Sequence, residues 1–307
     1  MIQNKTILLT GSTGYLGSFL KSFFLSKGYK LITAGKREDL DIYMDFKNPE
    51  NISSKKINEQ IDICIHVAGA TETYSSIDAS LVNVTGTKAL LEFCELNNIR
   101  NFIFVSTMHV FGNLCGVLTE RTEPVPNNEY GISNYLAEKY VEYYERNKSF
   151  NTSILRLSNL YGIPKNLELF NRWSLVPFAF VKAAIDSNNI HLKTSGEQIR
   201  NFLDTEDVAQ LLIKLIGFKK YPALLHVYGP DDLSIYQFAQ LVSRRCLDVL
   251  GIEVSVSFES IQERQKGELE QFQFRSNLLT DFYKPNKKIE SFIDAFLILL
   301  QRNHDLL

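Results

Sequence analysis

The chain has 307 residues, a formal net charge of −2 and 45% hydrophobic residues, values typical of one large or two modest globular domains. A net charge near zero argues against a broad nucleic-acid-binding surface, and no apolar run reaches the length of a membrane span. The first strand begins near the N-terminus, so we expect no signal peptide. The 4 cysteines are scattered without metal-ligand spacing, which favours a reduced, cytoplasmic protein without a metal site.

Apolar runs alternate with amphipathic segments through the first half of the chain. The predicted strands cover 6–10, 30–34, 62–67, 101–106 and 153–157, and the predicted helices cover 14–27, 79–97 and 130–147. Because continuous aliphatic strands are separated by segments of helix length, we predict an α/β fold with a Rossmann-type, doubly wound parallel sheet.

After Tyr161-Gly162 the pattern loosens, and we predict loops and short helices in a smaller, mixed α/β lobe. The apolar runs 176–185 and 292–300 indicate core helices. We therefore assign 1–162 to a dinucleotide-binding domain and 163–307 to a C-terminal substrate lobe, with part of 198–230 returning to the first domain.

Three glycines, Gly11, Gly14 and Gly17, follow the first strand and open the first predicted helix. Such a turn needs residues without a Cβ where the backbone passes a pyrophosphate and where helix and strand pack closely. The helix N-terminus then offers unpaired N–H groups to the phosphates. Since a second strand follows the helix, the pattern predicts a dinucleotide site.

The end of the second strand favours NADP(H) over NAD(H). Gly35 stands where NAD-binding proteins carry a carboxylate, and the cations of Lys36 and Arg37 follow it. The alternative interpretation is a solvated charge cluster, because Glu38 and Asp39 come next.

Seven further segments are more specific than the glycines alone. They are Asp45-Phe46, His66-Val-Ala-Gly-Ala70, Asn83-Val-Thr-Gly-Thr87, Val105-Ser-Thr-Met-His-Val-Phe-Gly112, Tyr130-Gly-Ile-Ser-Asn134, Leu155-Arg-Leu-Ser-Asn-Leu-Tyr-Gly162 and Arg200-Asn-Phe-Leu-Asp-Thr-Glu-Asp-Val-Ala209. With them the chain resembles, nearly from end to end, the extended short-chain dehydrogenase/reductases, the group that contains nucleotide-sugar epimerases, dehydratases and ketoreductases.

The resemblance implies an NAD(P)-dependent 4-keto reductase or 4-epimerase acting on a nucleotide-activated sugar. Thr107 would hydrogen-bond the reacting sugar oxygen, and Tyr130 would exchange a proton with it while hydride moves to or from the nicotinamide. Asp45 would accept from the adenine amino group. The complete predicted cofactor-binding set is Gly11, Thr13, Gly14, Tyr15, Leu16, Gly17, Gly35, Lys36, Arg37, Asp45, Phe46, Ala68, Gly69, Ala70, Asn83 and Ser106.

The predicted substrate contacts are Thr71, His109, Asn159, Arg200 and Arg264. Arg200 resembles the family arginine that clamps the substrate diphosphate, and Arg264 is a second candidate for that clamp. Met108 and His109 replace the Asp-Glu pair of the family's 4,6-dehydratases, which argues against that elimination. His109 could instead be a second acid/base or a hydrogen-bonded structural residue. Trp173 and Pro177 are expected in the core or in the pocket wall.

Asn134 stands where the resemblance calls for a lysine, four residues after the tyrosine, whose ammonium would lower the tyrosine pKa. Tyr135 and Lys139 offer a rival register. Helix geometry favours Tyr130, because its face continues with the apolar Ala137 and Val141, whereas the face of Tyr135 continues with Glu142 and Arg146. Asn134 could be a natural adaptation, the mark of an inactive relative, or an introduced substitution.

Two alternatives to the leading function stay open: a catalytically impaired nucleotide-binding or regulatory protein, and a reductase of a non-sugar carbonyl. The expected ligand is a nucleotide-diphosphate sugar, with neither nucleic acid nor membrane as a partner. We also expect a homodimer, because in the family the helices equivalent to 79–97 and 130–147 pair with their copies.

Overall fold

In a computed structural model that describes residues 5–70, 76–259 and 271–304, strands and helices alternate along most of the chain. The strands are β1 (Thr6–Thr10), β2 (Lys30–Gly35), β3 (Ile42–Tyr43), β4 (Ile63–His66), β5 (Asn101–Thr107), β6 (Gly116–Leu118), β7 (Asn151–Leu157), β8 (Asn159–Tyr161), β9 (Asn189–Leu192), β10 (Ile199–Asp204), β11 (Leu224–Val227), β12 (Asp231–Ser234), β13 (Ser255–Phe258) and β14 (Phe272–Phe274).

The helices cover both faces of the main sheet and form much of the C-terminal lobe. They are α1 (Tyr15–Ser26), α2 (Glu50–Ser53), α3 (Ser76–Ala79), α4 (Gly86–Leu96), α5 (Glu129–Asn147), α6 (Val176–Ser187), α7 (Thr205–Ile216), α8 (Ile235–Leu250), α9 (Leu279–Phe282) and α10 (Ile289–His304).

The main sheet has 7 strands in the order β11-β7-β5-β4-β1-β2-β3, and every pairing in it is parallel. Ile7 and Leu9 point to one face, in a core shared with α1 and α7. Leu8 points to the other face, in a core shared with α4 and α5. The predicted Rossmann-type, doubly wound sheet is therefore confirmed.

The C-terminal lobe has a separate aromatic core that includes Phe178, Phe238 and Phe296. A 3-stranded sheet, β12-β10-β8, flanks it, while β11 joins the main sheet beside β7. The helices of the lobe are longer than expected, since α6, α8 and α10 have 12, 16 and 16 residues. α6 and α10 contain the runs 176–185 and 292–300, for which core helices were predicted. Pro177 begins α6 rather than interrupting it, and Ser234 begins α8 with a capping box.

The predicted helix 79–97 is divided by a π-helical segment, Ser80–Thr85. Asn83 lies in this segment and is buried. Its side chain accepts from the Ala70 N–H (2.6 Å) and donates to the Ala70 carbonyl (3.1 Å) and to Ser133 Oγ (2.9 Å). The π-turn thus ties the loop after β4 to α5, a role that the 3.6-residue period does not predict.

Among the described residues, no helix is long and apolar enough to cross a membrane. In the same part of the chain, no group of three or more His, Cys, Asp or Glu side chains could hold a metal ion.

Acid lability is expected from the buried histidines His66 and His226. His66 bridges Thr10 Oγ1 (2.7 Å) and Thr87 Oγ1 (3.0 Å). Burial lowers the pKa of His66 to about 3 and that of His226 to about 4. At acidic pH these histidines therefore bind protons in the unfolded chain but stay neutral in the folded chain. The folded state keeps its full stability above pH 6.5 and loses stability as the pH falls towards these lower pKa values.

We expect each of these two histidines to lower the free energy of unfolding by about 2 kcal/mol at pH 5 relative to pH 7.5. Denaturant titrations at both pH values measure this loss. His66→Gln should make the pH dependence shallower, while His191→Gln, at an exposed position, should leave it unchanged. An unchanged slope in His66→Gln would contradict the prediction.

Candidate functional site

A cavity of about 670 Å³ opens at the carboxyl ends of the main-sheet strands, where ligands bind in this class of fold. The glycine turn after β1 and the ends of β2, β4 and β5 line one side of it. The first turns of α5 and residues 157–160 lie further along. Arg172, residues 174–177 and Arg200 line the side formed by the C-terminal lobe.

The glycine turn has the geometry that a bound pyrophosphate requires. Gly11 has φ +70°, and a Cβ there would lie 2.6 Å from the Ala68 nitrogen. A Cβ on Gly17 would lie 2.0 Å from the Gly11 carbonyl oxygen, so this glycine lets α1 pack against the turn. Gly14 begins α1 without a side-chain cap, which leaves the N–H groups of the first turn available to phosphate. This turn fits a dinucleotide.

Beyond the ends of β2 and β3, Lys36 and Asp45 both line the cavity. Lys36 Nζ lies 3.3 Å from Asp45 Oδ2. Burial raises the pKa of Asp45, but the Lys47 N–H, the Asn48 amide and Lys36 outweigh it and hold this pKa below its ordinary value. Arg37 is not among the lining residues, and its Nε binds Asp39 at 2.8 Å. The two cations after β2 thus differ in their access to the cavity.

Thr107, His109 and Tyr130 all line the cavity. Thr107 ends β5 and its Oγ1 accepts from the His109 N–H (3.2 Å), which starts a 3₁₀ turn, Met108–Phe111. A Cβ on Gly131 would lie 2.4 Å from the His109 carbonyl oxygen. Because residue 131 is glycine, α5 packs directly on this turn, and the His109 and Tyr130 rings lie 6.0 Å apart.

Asn134 also lines the cavity, but its amide is used within α5. Asn134 Nδ2 donates to the Tyr130 carbonyl oxygen at 2.8 Å, and the side chain is largely buried. An amide carries no charge, so this position supplies no ammonium to stabilise a Tyr130 phenolate.

The two tyrosine registers of α5 face different surroundings. Ala137 and Val141, on the Tyr130 face, are fully buried. On the other face, Lys139 Nζ lies 4.6 Å from the Tyr135 ring centroid and 2.9 Å from Glu142. Tyr130 lines the cavity and Tyr135 is not among the lining residues.

Next to the end of β5 lies a buried ion pair that the sequence did not reveal as a pair. Glu138 and Arg156 are 0% and 3% exposed, with Arg156 Nη2 2.7 Å from Glu138 Oε2. Ser106 Oγ donates to Glu138 Oε1 at 2.6 Å. The Ser106 hydroxyl is therefore held by the protein immediately before Thr107.

The substrate side of the cavity contains Asn159 and Arg200. Asn159 Nδ2 donates to the Asn201 carbonyl (2.9 Å). Arg200 donates to the Ile199 carbonyl (2.9 Å) and to Gln198 (3.2 Å), and burial lowers its pKa. No carboxylate pairs with Arg200 among the described residues. The predicted contacts Thr71 and Arg264 lie outside the part of the chain that the structure describes.

Several lining residues were not predicted from the sequence. They include Lys47, Ser158, Arg172, Ser174, Leu175, Val176, Phe202 and Ile235. Pro177 lines the cavity, and Trp173 packs against Phe170 and Phe296 in the lobe core. Only Pro177 at the start of α6 offered a sequence signal that this segment borders a pocket.

Comparison with known proteins identifies the family. Residues 7–223 match the NAD dependent epimerase/dehydratase family. The chain belongs to this family. Its relatives include a putative UDP-glucose 4-epimerase of Methanocaldococcus jannaschii, 26% identical over 85% of this chain and 86% of the relative. Human dTDP-D-glucose 4,6-dehydratase is 27% identical over 77% of this chain and 72% of that protein.

Solved structures of other proteins share the fold. The UDP-glucose 4-epimerase of Thermotoga maritima, solved with UDP-glucose, has a TM-score of 0.79 at 18% identity and covers 97% of this chain and 99% of its own. The RMD protein of Pseudomonas aeruginosa, solved with NADPH, has a TM-score of 0.78 at 19% identity over 96% and 98%.

Proposed function

We propose that this protein is an NADP(H)-dependent oxidoreductase or epimerase that acts at one carbon of a nucleotide-diphosphate sugar, of the 4-keto reductase or 4-epimerase type. The observation that carries the proposal is that Thr107, His109 and Tyr130 line the same cavity as the glycine turn and Arg200. A nicotinamide bound along the glycine turn would supply or accept the hydride.

In this mechanism Thr107 hydrogen-bonds the reacting oxygen and Tyr130 exchanges a proton with it. During reduction, Tyr130 gives its proton to the oxygen as the carbonyl carbon gains hydride. During oxidation, Tyr130 takes the proton from the hydroxyl. Asn134 supplies no ammonium, so the Tyr130 phenolate is less stabilised than a neighbouring lysine would make it.

A 4,6-dehydratase is not proposed, because the residues after Thr107 lack an acid/base pair. Met108 is 1% exposed and has no ionisable group, and His109 is the one titratable side chain of the two. Elimination of water across two sugar carbons needs an acid and a base in addition to the tyrosine.

For the cofactor, we propose NADP(H) over NAD(H), with Lys36 rather than Arg37 as the cation that meets the extra phosphate. The Lys36 side chain is 68% exposed at the cavity rim, whereas Arg37 binds Asp39. Lys36→Ala should weaken NADP(H) binding about 10- to 100-fold and change NAD(H) binding little.

Dissociation constants for both cofactors measure the effect of Lys36→Ala. Arg37→Ala is the matched control and should change neither constant appreciably. Equal losses for NADP(H) and NAD(H) in Lys36→Ala would place the lysine on a part common to both cofactors.

For the substrate, we propose that Arg200 binds the diphosphate. Arg200→Ala should weaken binding of the nucleoside diphosphate about 10- to 100-fold, because a charge-assisted hydrogen bond is lost. Isothermal titration with UDP, GDP, CDP and dTDP measures this. Arg244→Ala is the control, since that exposed arginine pairs with Glu290 outside the cavity. Unchanged diphosphate binding in Arg200→Ala would favour a non-sugar carbonyl substrate.

The experiment that tests the whole proposal is a thermal-shift series with NADP, NADPH, NAD and NADH, each with and without the four nucleoside diphosphates. A ligand that binds only the native state raises its melting temperature. We expect a shift with one nicotinamide form and with one diphosphate, followed by turnover of the matching sugar nucleotide. Shifts without turnover would favour the catalytically impaired, regulatory alternative.

We further propose that residues 163–307 supply the substrate lobe, apart from the return of the chain to the main sheet within 198–230, and that the protein forms a homodimer. On α5, Ile132, Leu136 and Tyr143 are exposed hydrophobic residues spaced for one helix face. Analytical ultracentrifugation tests the dimer.

The free cysteines Cys64, Cys94 and Cys246 are buried, which supports a reducing, cytoplasmic location.

A further inference from the structure

We propose that His109 exchanges protons with Tyr130 and so performs part of the role of the lysine that Asn134 replaces. The inference rests on the proposed function, because it assigns the route by which the tyrosine regains or loses its proton. His109 acts through Tyr130 and is therefore a positioning and relay residue rather than a group that touches the reacting carbon.

The first argument is the placement of His109. The 3₁₀ turn that Thr107 caps brings the imidazole to a ring-centroid distance of 6.0 Å from Tyr130, at an interplanar angle of 58°. The close approach is built into the backbone, since a Cβ on Gly131 would lie only 2.4 Å from the His109 carbonyl oxygen. Both rings are half-buried and line the same cavity.

The second argument is the charge distribution along the cavity. The lysines that line it, Lys36 and Lys47, lie beside Asp45 and Asp78. Asn134 uses its amide on the Tyr130 carbonyl. Among the described lining residues, His109 is the titratable base that contacts Tyr130, and imidazole changes charge near neutral pH.

The other titratable or charged groups on the elements around the His109 turn are accounted for by contacts of their own or by exposure. Glu138 and Arg156 pair with each other, and Arg275 binds Asp232. The full set of titratable or charged groups on the elements around the His109 turn is Glu129 and Glu138 of α5, Arg156 of β7, Glu120 before α5, His226 of β11, Arg275 after β14, and Arg200, which also lines the cavity.

The proposed step balances in protons and electrons. In reduction, a bound nicotinamide would supply hydride to the carbonyl carbon, and the carbonyl π pair would move onto oxygen. That oxygen takes the Tyr130 proton, the phenolate takes a proton from the His109 imidazolium, and the imidazole takes a proton from the solvent. In oxidation, each proton moves the opposite way.

The test is a double-mutant cycle between His109→Gln and Asn134→Lys. We expect His109→Gln alone to lower kcat at least 10-fold and to change the pH–rate profile, because a titratable imidazole is replaced by an amide. With Asn134→Lys present, an ammonium stands beside the tyrosine, and the same substitution should lower kcat less than 2-fold. His191→Gln, at an exposed position, is the control and should change neither value.

Equal losses in both backgrounds, or a change in KM alone, would overturn the inference and make His109 a structural or substrate-contact residue. A second measurement needs no turnover: ¹H NMR titration of His109 in the natural chain and in Tyr130→Phe. The His109 pKa should differ between the two. An unchanged pKa overturns the inference with the proposed function intact, whereas failure of the natural chain to turn over any sugar nucleotide defeats the function instead.

Discussion

Tyr130→Phe is expected to lower kcat about 10²- to 10⁴-fold, because it removes the proton donor and acceptor at the reacting oxygen. Phenylalanine keeps the ring and its contact with His109, so the fold and the binding of both ligands should persist. Steady-state kinetics with the nucleotide sugar identified by thermal shift, together with cofactor titration, measure the two effects separately.

Tyr135→Phe is the matched control, because Tyr135 and Lys139 offer the rival Tyr-x-x-x-Lys spacing. The Tyr135 ring packs under Lys139, whose ammonium also binds Glu142. Removing its hydroxyl should leave kcat within about 2-fold, as for ordinary surface substitutions. A large loss in Tyr135→Phe together with a small one in Tyr130→Phe would transfer the acid/base role to the other register.

The strands and the glycine turn could be predicted because their causes are local. Fully buried runs such as Ile7 to Leu9 need apolar side chains on both faces of the sheet. Gly11 and Gly17 are fixed by contacts within the same strand–turn–helix unit. Short-range patterns of this kind are visible in a single sequence.

The remaining features depend on contacts between distant segments. Arg172 lines the cavity only because the segment before α6 folds over β7 and β10, and nothing at residues near 172 signals this. Arg37 was predicted as a cofactor contact, yet its guanidinium binds Asp39 two residues away. Composition alone does not decide which of two adjacent cations faces a ligand.

Asn134 marks the limit of reasoning from spacing. Helix periodicity placed it beside Tyr130, and the structure has it there. The partner of its amide, the Tyr130 carbonyl, follows from the rotamer and not from the position. The acid/base role that we propose for Tyr130 therefore depends on groups from another element, above all on His109 in the turn after β5.

Glu138→Gln is expected to lower the free energy of unfolding by about 3–5 kcal/mol, because it leaves the Arg156 guanidinium buried without a counter-charge. Arg156 is 3% exposed and makes two bonds to Glu138, of 3.0 and 2.7 Å. Urea titration at pH 7 measures the loss. Glu142→Gln is the control on the same helix, and its exposed pairs with Lys139 and Arg146 should contribute less than about 1 kcal/mol.

A double variant separates two causes of this loss. If desolvation of an unpaired charge dominates, Glu138→Leu combined with Arg156→Met should recover most of the stability, since apolar replacement of a buried pair is often neutral. The Ser106 hydroxyl would still lose its acceptor, directly before Thr107, so kcat should fall even in the stable double variant. Recovery of stability with full activity would mean that the pair only fills space behind the site. Loss of activity at restored stability would mean that Glu138 orients the end of β5 for the reaction.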